Sequence, residues 1–346
     1  MRTKYWIVDK NVDKLENFPQ LQEAADLLRK NEVVAFPTET VYGLGGNAQS
    51  DEAVEKIFAA KGRPSDNPLI VHIAKKEQLT DFVDHIPQTA NILMEHFWPG
   101  PLTIILTYKE GTLSQKTTAG LMTVGIRMPD HPVALNLLEQ TGLPIAAPSA
   151  NRSGKPSPTM AQHVKEDLDG RIAGIVDGGP TGVGVESTVV DCTTEVPVIL
   201  RPGGVTKEQL EAVVGEVLLD PALKDQKETP KSPGMKYRHY APDAPLYLVD
   251  GTKEQIQALI EERQQEGLKV GVLTTEENQH FYKADDLYVC GRRSQLETVA
   301  SSIYAALRSF DRAQVDIIYS EIFPNTGVGN AIMNRLLKAA GHKMIK

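Results

Sequence analysis

Short apolar runs alternate with stretches of helical spacing through the first part of the chain. Residues 33–36, 69–73 and 102–107 are runs of strand length, and 123–128, 144–147, 172–176, 187–191 and 198–200 extend the series. Between them, 20–30, 51–60, 88–97 and 132–140 repeat apolar residues along one helix face, as with Val54, Ile57 and Phe58. This order predicts an α/β fold. Several strands follow one another with no helix between, so the sheet is expected to be mixed rather than purely parallel. Gly43-Leu44-Gly45-Gly46 reads as a turn.

The pattern changes around residue 215. Residues 220–231 are polar and charged, and lead into Ser232-Pro233-Gly234-Met235-Lys236-Tyr237-Arg238-His239-Tyr240-Ala241-Pro242. Two tyrosines, a histidine and basic residues in so short a span suit contact better than a mere tether. A second rhythm follows, with strands at 246–249, 270–273 and 316–319 and helices at 253–265, 295–310 and 330–340. The division expected is a domain over 1–214, a linker over 215–244 and a small domain with a parallel sheet over 245–346.

Composition narrows the classes. The chain has 346 residues, 41% hydrophobic and 24% charged, with a net charge of −8. That size fits two domains with real cores. The acidic balance argues against a general nucleic-acid binder and leaves room for a local cationic pocket for a small anion. Cys192 and Cys290 form no CxxC pair, which argues against a cysteine zinc site and fits reduced thiols. No apolar run approaches the ~18 residues that span a bilayer. A cytoplasmic protein without membrane contact is expected.

Common nucleotide and hydrolase signatures are absent: no GxxxxGK[ST], GxGxxG, HExxH or GxSxG. Polar clusters instead interrupt the apolar runs, where open α/β sheets bind ligands. Pro37 to Leu44 follows a strand and supplies hydroxyls. Lys61-Gly62-Arg63 offers a point charge and a bidentate fork for phosphate, although it also reads as a basic helix end favoured by the helix dipole. Thr123, Gly125 and Arg127 share one strand face, and an Arg among apolar residues needs an anionic partner. Ser149, Asn151 and Ser157 follow another strand, and Arg201 closes one before Gly203-Gly204. Alone, each has a plainer reading: a turn with Thr caps at the first, a buried Asp partner for Arg127, a solvated polar loop after Ala147, and an exposed Arg before a turn at Arg201. Together they suit electrostatic stabilisation of phosphoryl or nucleotidyl transfer.

PTETVYGLG, KGRPSDNPL, TVGIRMPDHP, APSANRSGKPSPT, GVESTVVD and RPGG stand in the order seen in YrdC-like domains. With SPGMKYRHYAP and the half that follows, essentially the whole chain resembles the two-domain threonylcarbamoyl-AMP synthases. The resemblance implies a YrdC-like twisted mixed sheet with flanking helices, then a smaller Rossmann-like accessory domain. It implies synthesis of L-threonylcarbamoyladenylate and pyrophosphate from L-threonine, bicarbonate and ATP. The product would pass to a complex that modifies tRNA beside the anticodon; whether this chain touches tRNA itself stays open. Thr40, His72, Arg127, Ala147 and Ser187 would contact threonine. Arg63, Asn67, Thr123, Ser149, Ser157 and Arg201 would contact ATP, with Lys61 and Asn151 completing the signature and Lys61 and Arg63 catalytic. Ser232, Pro233, Gly234, His239 and Tyr240 would form a lid. Mg²⁺ is expected with ATP, its protein ligands undetermined among Glu39, Asp66 and Glu186. Lys61→Ala and Arg63→Ala are expected to abolish adenylate formation with the fold intact. A hydrogenase-maturation carbamoyltransferase and an RNA-binding module are the competing readings. The first would need cysteine zinc motifs, and the second sits poorly with the acidic balance.

Overall fold

The structure, a computed structural model, describes residues 2–9, 18–223 and 239–346. These form two compact units. Segments 154–157 and 183–185 group with residues 239–346, and the other described residues form the first unit.

The first unit is built on one sheet of eleven strands. They are β1 (Lys4–Ile7), β2 (Val34–Phe36), β3 (Gly43–Asn47), β4 (Val71–His72), β5 (Leu102–Thr107), β6 (Thr123–Arg127), β7 (Ile145–Ala146), β8 (Gly174–Asp177), β9 (Thr188–Asp191), β10 (Val198–Arg201) and β11 (Leu218–Leu219). Their spatial order is β1-β8-β2-β3-β7-β4-β6-β5-β9-β10-β11. The sheet is mixed as expected: β4 and β6 run parallel, whereas β7 is antiparallel to both β3 and β4.

Both faces are covered, which explains the unbroken apolar runs. Along β2, Val34 and Phe36 enter one core and Ala35 the opposite one. The first core holds Leu21, Ala25 and Leu28 of helix Pro19–Arg29 against Val133, Leu137 and Leu138 of helix Pro132–Thr141. The second holds Val54, Ile57 and Phe58 of helix Asp51–Lys61 and Leu93 of helix Gln88–Phe97. Burying each such side chain contributes about 1.5–3 kcal/mol.

The glycine-rich stretch read as a turn is instead strand β3, paired antiparallel with β2. A Cβ at Gly45 would come within 2.8 Å of the Phe36 ring and one at Gly46 within 3.0 Å of the Ile57 side chain, so the stretch is glycine-rich because neighbouring side chains press closely on it.

The second unit has a five-stranded sheet: β12 (Leu246–Val249), β13 (Val270–Thr274), β14 (Asp286–Val289), β15 (Ile317–Glu321) and β16 (Met344–Ile345). Its order is β14-β13-β15-β12-β16, and every pair is parallel. Helices Lys253–Gln265, Leu296–Ala313 and Gly329–Ala339 connect the strands. The first opens with a capping box in which Thr252 and Gln255 bond reciprocally.

Candidate active site

Helix Asp51–Lys61 places the first group. Ser50 caps its start by accepting from the Ala53 amide, and Gly62 ends it in the left-handed conformation at φ 61°. Here the glycine serves the helix stop, since a Cβ would meet nothing within 4 Å. Lys61, the last helical residue, is buried. Its ammonium donates to the carbonyl of Ser149, to the carbonyl of Asn151 at 2.8 Å and to Asn151 Oδ1 at 3.3 Å. The Ser153 amide returns a bond to the Lys61 carbonyl at 2.9 Å. The helix end therefore clamps the loop that leaves β7. The Arg152 amide, held by Asp167 at 3.2 Å, ties that loop to helix Ala161–Leu168.

Arg63 follows the cap, half-buried, with its guanidinium 5.9 Å from the centre of the Phe58 ring. Asn67 is fully buried, and neither end of its amide has a hydrogen-bond partner among the described residues. Such a group costs about 1–3 kcal/mol unless a ligand satisfies it. Beyond it a narrow pocket is lined by Pro68, Ile70, Thr103, Thr123, Gly125 and Val189.

A second group surrounds Arg127 at the end of β6. The side chain is 4% exposed. Nε donates to the Gly100 carbonyl at 3.2 Å, Nη1 donates to Thr40 Oγ1 at 2.9 Å, and Nη2 lies 2.6 Å from a Glu39 carboxylate oxygen. Thr40 is steered in turn by Thr38, whose hydroxyl lies 2.9 Å from that of Thr40 and donates to the Val41 carbonyl. His72 on β4 is the register partner of Arg127. Its Nδ1 donates to the Ile70 carbonyl at 3.3 Å. Burial first, and the Arg127 charge second, push its pKa down to about 3, so the ring is neutral near pH 7.

The third group joins β5, β9 and β10. Arg201 donates through Nε and Nη2 to the Ser187 carbonyl at 3.1 and 2.9 Å, and through Nη2 to the Ser187 hydroxyl at 3.1 Å. Thr103 Oγ1 lies 2.8 Å from that hydroxyl. A Cβ at Gly203 would fall 2.3 Å from the Glu186 carbonyl oxygen, so RPGG presses its backbone onto the segment at Ser187 that enters β9.

The fold thus joins Lys61 to Ser149 and Asn151, Thr40 to Arg127 and His72, and Ser187 to Arg201. Ala147 is buried, its amide bonded to Ile70, and Thr123 lines the pocket. Ser157, His239 and Tyr240 belong to the second unit, where Tyr240 stacks against Tyr304 at 5.2 Å. Ser232, Pro233 and Gly234 lie outside the described residues. Sequence reasoning missed Thr103, which sits inside an apolar run, and the Glu39–Arg127 pair, since Glu39 was noted only as a carboxylate for Mg²⁺. Among the described residues no three His, Cys, Asp or Glu side chains gather as a metal site. No helix among the described residues is long and apolar enough to cross a membrane.

The chain is similar to known proteins over its whole length. Residues 26–203 match the Sua5_yciO_yrdC family model, described as telomere recombination, and 205–341 match the threonylcarbamoyl-AMP synthase C-terminal domain. A threonylcarbamoyl-AMP synthase from Bacillus subtilis is 64% identical over 346 residues, all of both chains. One from Vibrio campbellii is 32% identical over 191 residues, 55% of this chain and 100% of its own. The crystal structure of Pyrococcus abyssi Sua5 with L-threonine superposes with a TM-score of 0.93 at 47% identity, covering 99% of each chain. The chain belongs to the threonylcarbamoyl-AMP synthase family.

Proposed function

We propose that the chain is a nucleotidyltransferase that makes L-threonylcarbamoyladenylate from L-threonine, bicarbonate and ATP. The observation that carries this reading is the buried Arg127, held between Thr40, Glu39 and the neutral His72. A fixed guanidinium with a hydroxyl beside it suits an amino-acid carboxylate. The threonine complex of the Pyrococcus abyssi relative supports that choice. The Vibrio relative, spanned whole by a match to 55% of this chain, supports a chemistry that needs only part of the chain.

The amine of threonine and bicarbonate give N-carboxythreonine with loss of water. A carbamate oxygen then attacks the α-phosphorus of ATP, and the bond to the β-phosphate breaks, releasing pyrophosphate. Arg63, Asn67, Ser149 and Arg201 would orient the nucleotide around the pocket lined by Thr123. Lys61 donates to Ser149 and Asn151, so it acts by holding their loop and by its charge. Mg²⁺ on the phosphates would neutralise their charge. Ser157 would contact ATP as well, and the segment from Ser232 to Tyr240 would exclude water from the fragile carbamate and mixed anhydride. The product would pass, in the cytoplasm, to a complex that modifies tRNA.

Pyrophosphate release from ATP measures the reaction. Release should require threonine and bicarbonate together. Release independent of either one would overturn the proposal.

A further inference from the structure

We propose that the second unit carries its own binding site for a small oxyanion-bearing metabolite, at the carboxyl ends of β12, β13 and β15. A pocket of about 290 Å³ opens there, with Asp250, Lys253, Asn278, Tyr282, Arg293 and Glu321 as its polar lining. None of these belongs to the adenylate-forming groups of the first unit.

The topology accounts for the position. β13 lies beside β15, and the chain leaves the two away from each other, toward opposite edges of the sheet. Helix Lys253–Gln265 carries it from β12 across β15 to β13, from which it turns through 275–285 to β14, whereas from β15 it runs through helix Gly329–Ala339 to β16. Ile256 and Ile260 of the first helix pack on Val270, Val272, Ile317 and Tyr319. The other sheet face meets helix Leu296–Ala313, whose Phe310 ring would lie 2.8 Å from a Cβ at Gly271. That helix packs on helix Gly329–Ala339. Adjacent strands whose crossovers diverge leave a crevice outside their carboxyl ends, where open α/β sheets hold ligands.

The groups in the crevice are fixed in advance. Glu321 is buried, and its Oε1 accepts from Thr274 at 2.7 Å, Asn278 at 2.9 Å and Tyr282 at 3.1 Å. Its Oε2 accepts from Arg293 Nη2 at 2.7 Å, which also donates to the Ile322 carbonyl at 2.9 Å. Nε and Nη1 of Arg293 have no hydrogen-bond partner among the described residues, and the side chain is 39% exposed. Lys253 makes no ion pair among the described residues, and its ammonium lies 4.7 Å from the centre of the Phe281 ring. The two remaining donor nitrogens of the guanidinium, with a second cation lining the same pocket, suit a carboxylate or phosphate oxygen. Asp250 can accept from a hydroxyl or amine on the same molecule. The volume is at the small end for ligand sites, which suits a metabolite better than a dinucleotide.

Hydrogen exchange on the full chain tests this, with inorganic phosphate and acetate as separate probes. Saturable protection of peptides spanning 250–254 and 277–283 is expected with at least one probe. Protection by phosphate alone marks a phosphate-ester site, and by acetate alone a carboxylate site. Lys253→Glu reverses a charge without removing a partner of Glu321, and should abolish the protection while the fold stays intact. Arg293→Ala should do the same but also unpairs Glu321. Peptides spanning 61–67 report the first unit's pocket separately. No protection with either probe, or equal protection in the parent and Lys253→Glu, would overturn the proposal.

Discussion

Lys61 and Asn151 lie 90 residues apart in sequence and meet twice: one ammonium donates to the Asn151 carbonyl at 2.8 Å and to its side-chain Oδ1 at 3.3 Å. This makes Lys61 a support for the loop as well as a charge in the site. The expectation that Lys61→Ala leaves the fold intact changes accordingly. Lys61→Met keeps the apolar stem and strands the carbonyls of Ser149 and Asn151, with a stability loss of about 2 kcal/mol. Calorimetry should show a lowered Tm together with loss of adenylate formation. An unchanged Tm would mean that the bonds from Lys61 to the loop contribute nothing to folding.

Thr40→Val removes the hydroxyl that accepts from Arg127 and preserves the side chain's shape. One hydrogen bond to a charged donor contributes about 1.5–3 kcal/mol, so the apparent affinity for threonine should fall roughly tenfold or more. Steady-state kinetics should show the change mainly in KM for threonine, with KM for ATP little altered. Equal shifts in both would sink the division of labour.

Gly203→Ala drives a methyl against the Glu186 carbonyl and the Thr188 amide, both 2.3 Å from the new atom. Backbone on both sides must move, which costs about 1–3 kcal/mol. Ser187 lies between the two and moves with them. Denaturant unfolding should therefore detect a destabilised chain, and turnover should fall with it.

The neutral His72 makes stability depend on pH. Its folded pKa, about 3, lies below the ordinary value of 6.5, so the unfolded chain binds the extra proton. Its contribution is complete above pH 6.5 and is lost as pH falls from there toward 3. The slope for one proton is about 1.4 kcal/mol per pH unit. His72→Gln should flatten the stability profile between pH 6 and 4 relative to the parent. Parallel profiles would show that His72 does not titrate in this way.

Much of the architecture was legible in the chain because both sheet faces are covered. Runs such as Leu102 to Leu106 are then continuous and easy to read as strands. β3 was lost because glycines carry no pattern of side chains, and its identity depends on Phe36 from another strand. Helix Lys207–Val214 escaped because Leu210 is its one buried residue. In the site, the motif residues stood out, but their pairings did not. The Glu39–Arg127 contact and the bond from Thr103 to Ser187 join distant segments, and local spacing carries no trace of them.

The strand order also bears on how the chain is made. β1 pairs with β8, so Lys4 waits for Gly174 to be synthesised, and β5 cannot gain β9 until Thr188 follows. Arg201 comes later still, although it fixes Ser187. A nascent chain halted before β10 leaves the ribosome tunnel therefore has most of the motifs and no complete pocket. Such long-range closure is slow and leaves unpaired strand edges in the meantime. Assembly of the candidate site is thus a late event in translation, and the sheet edges of the growing polypeptide stay open until then.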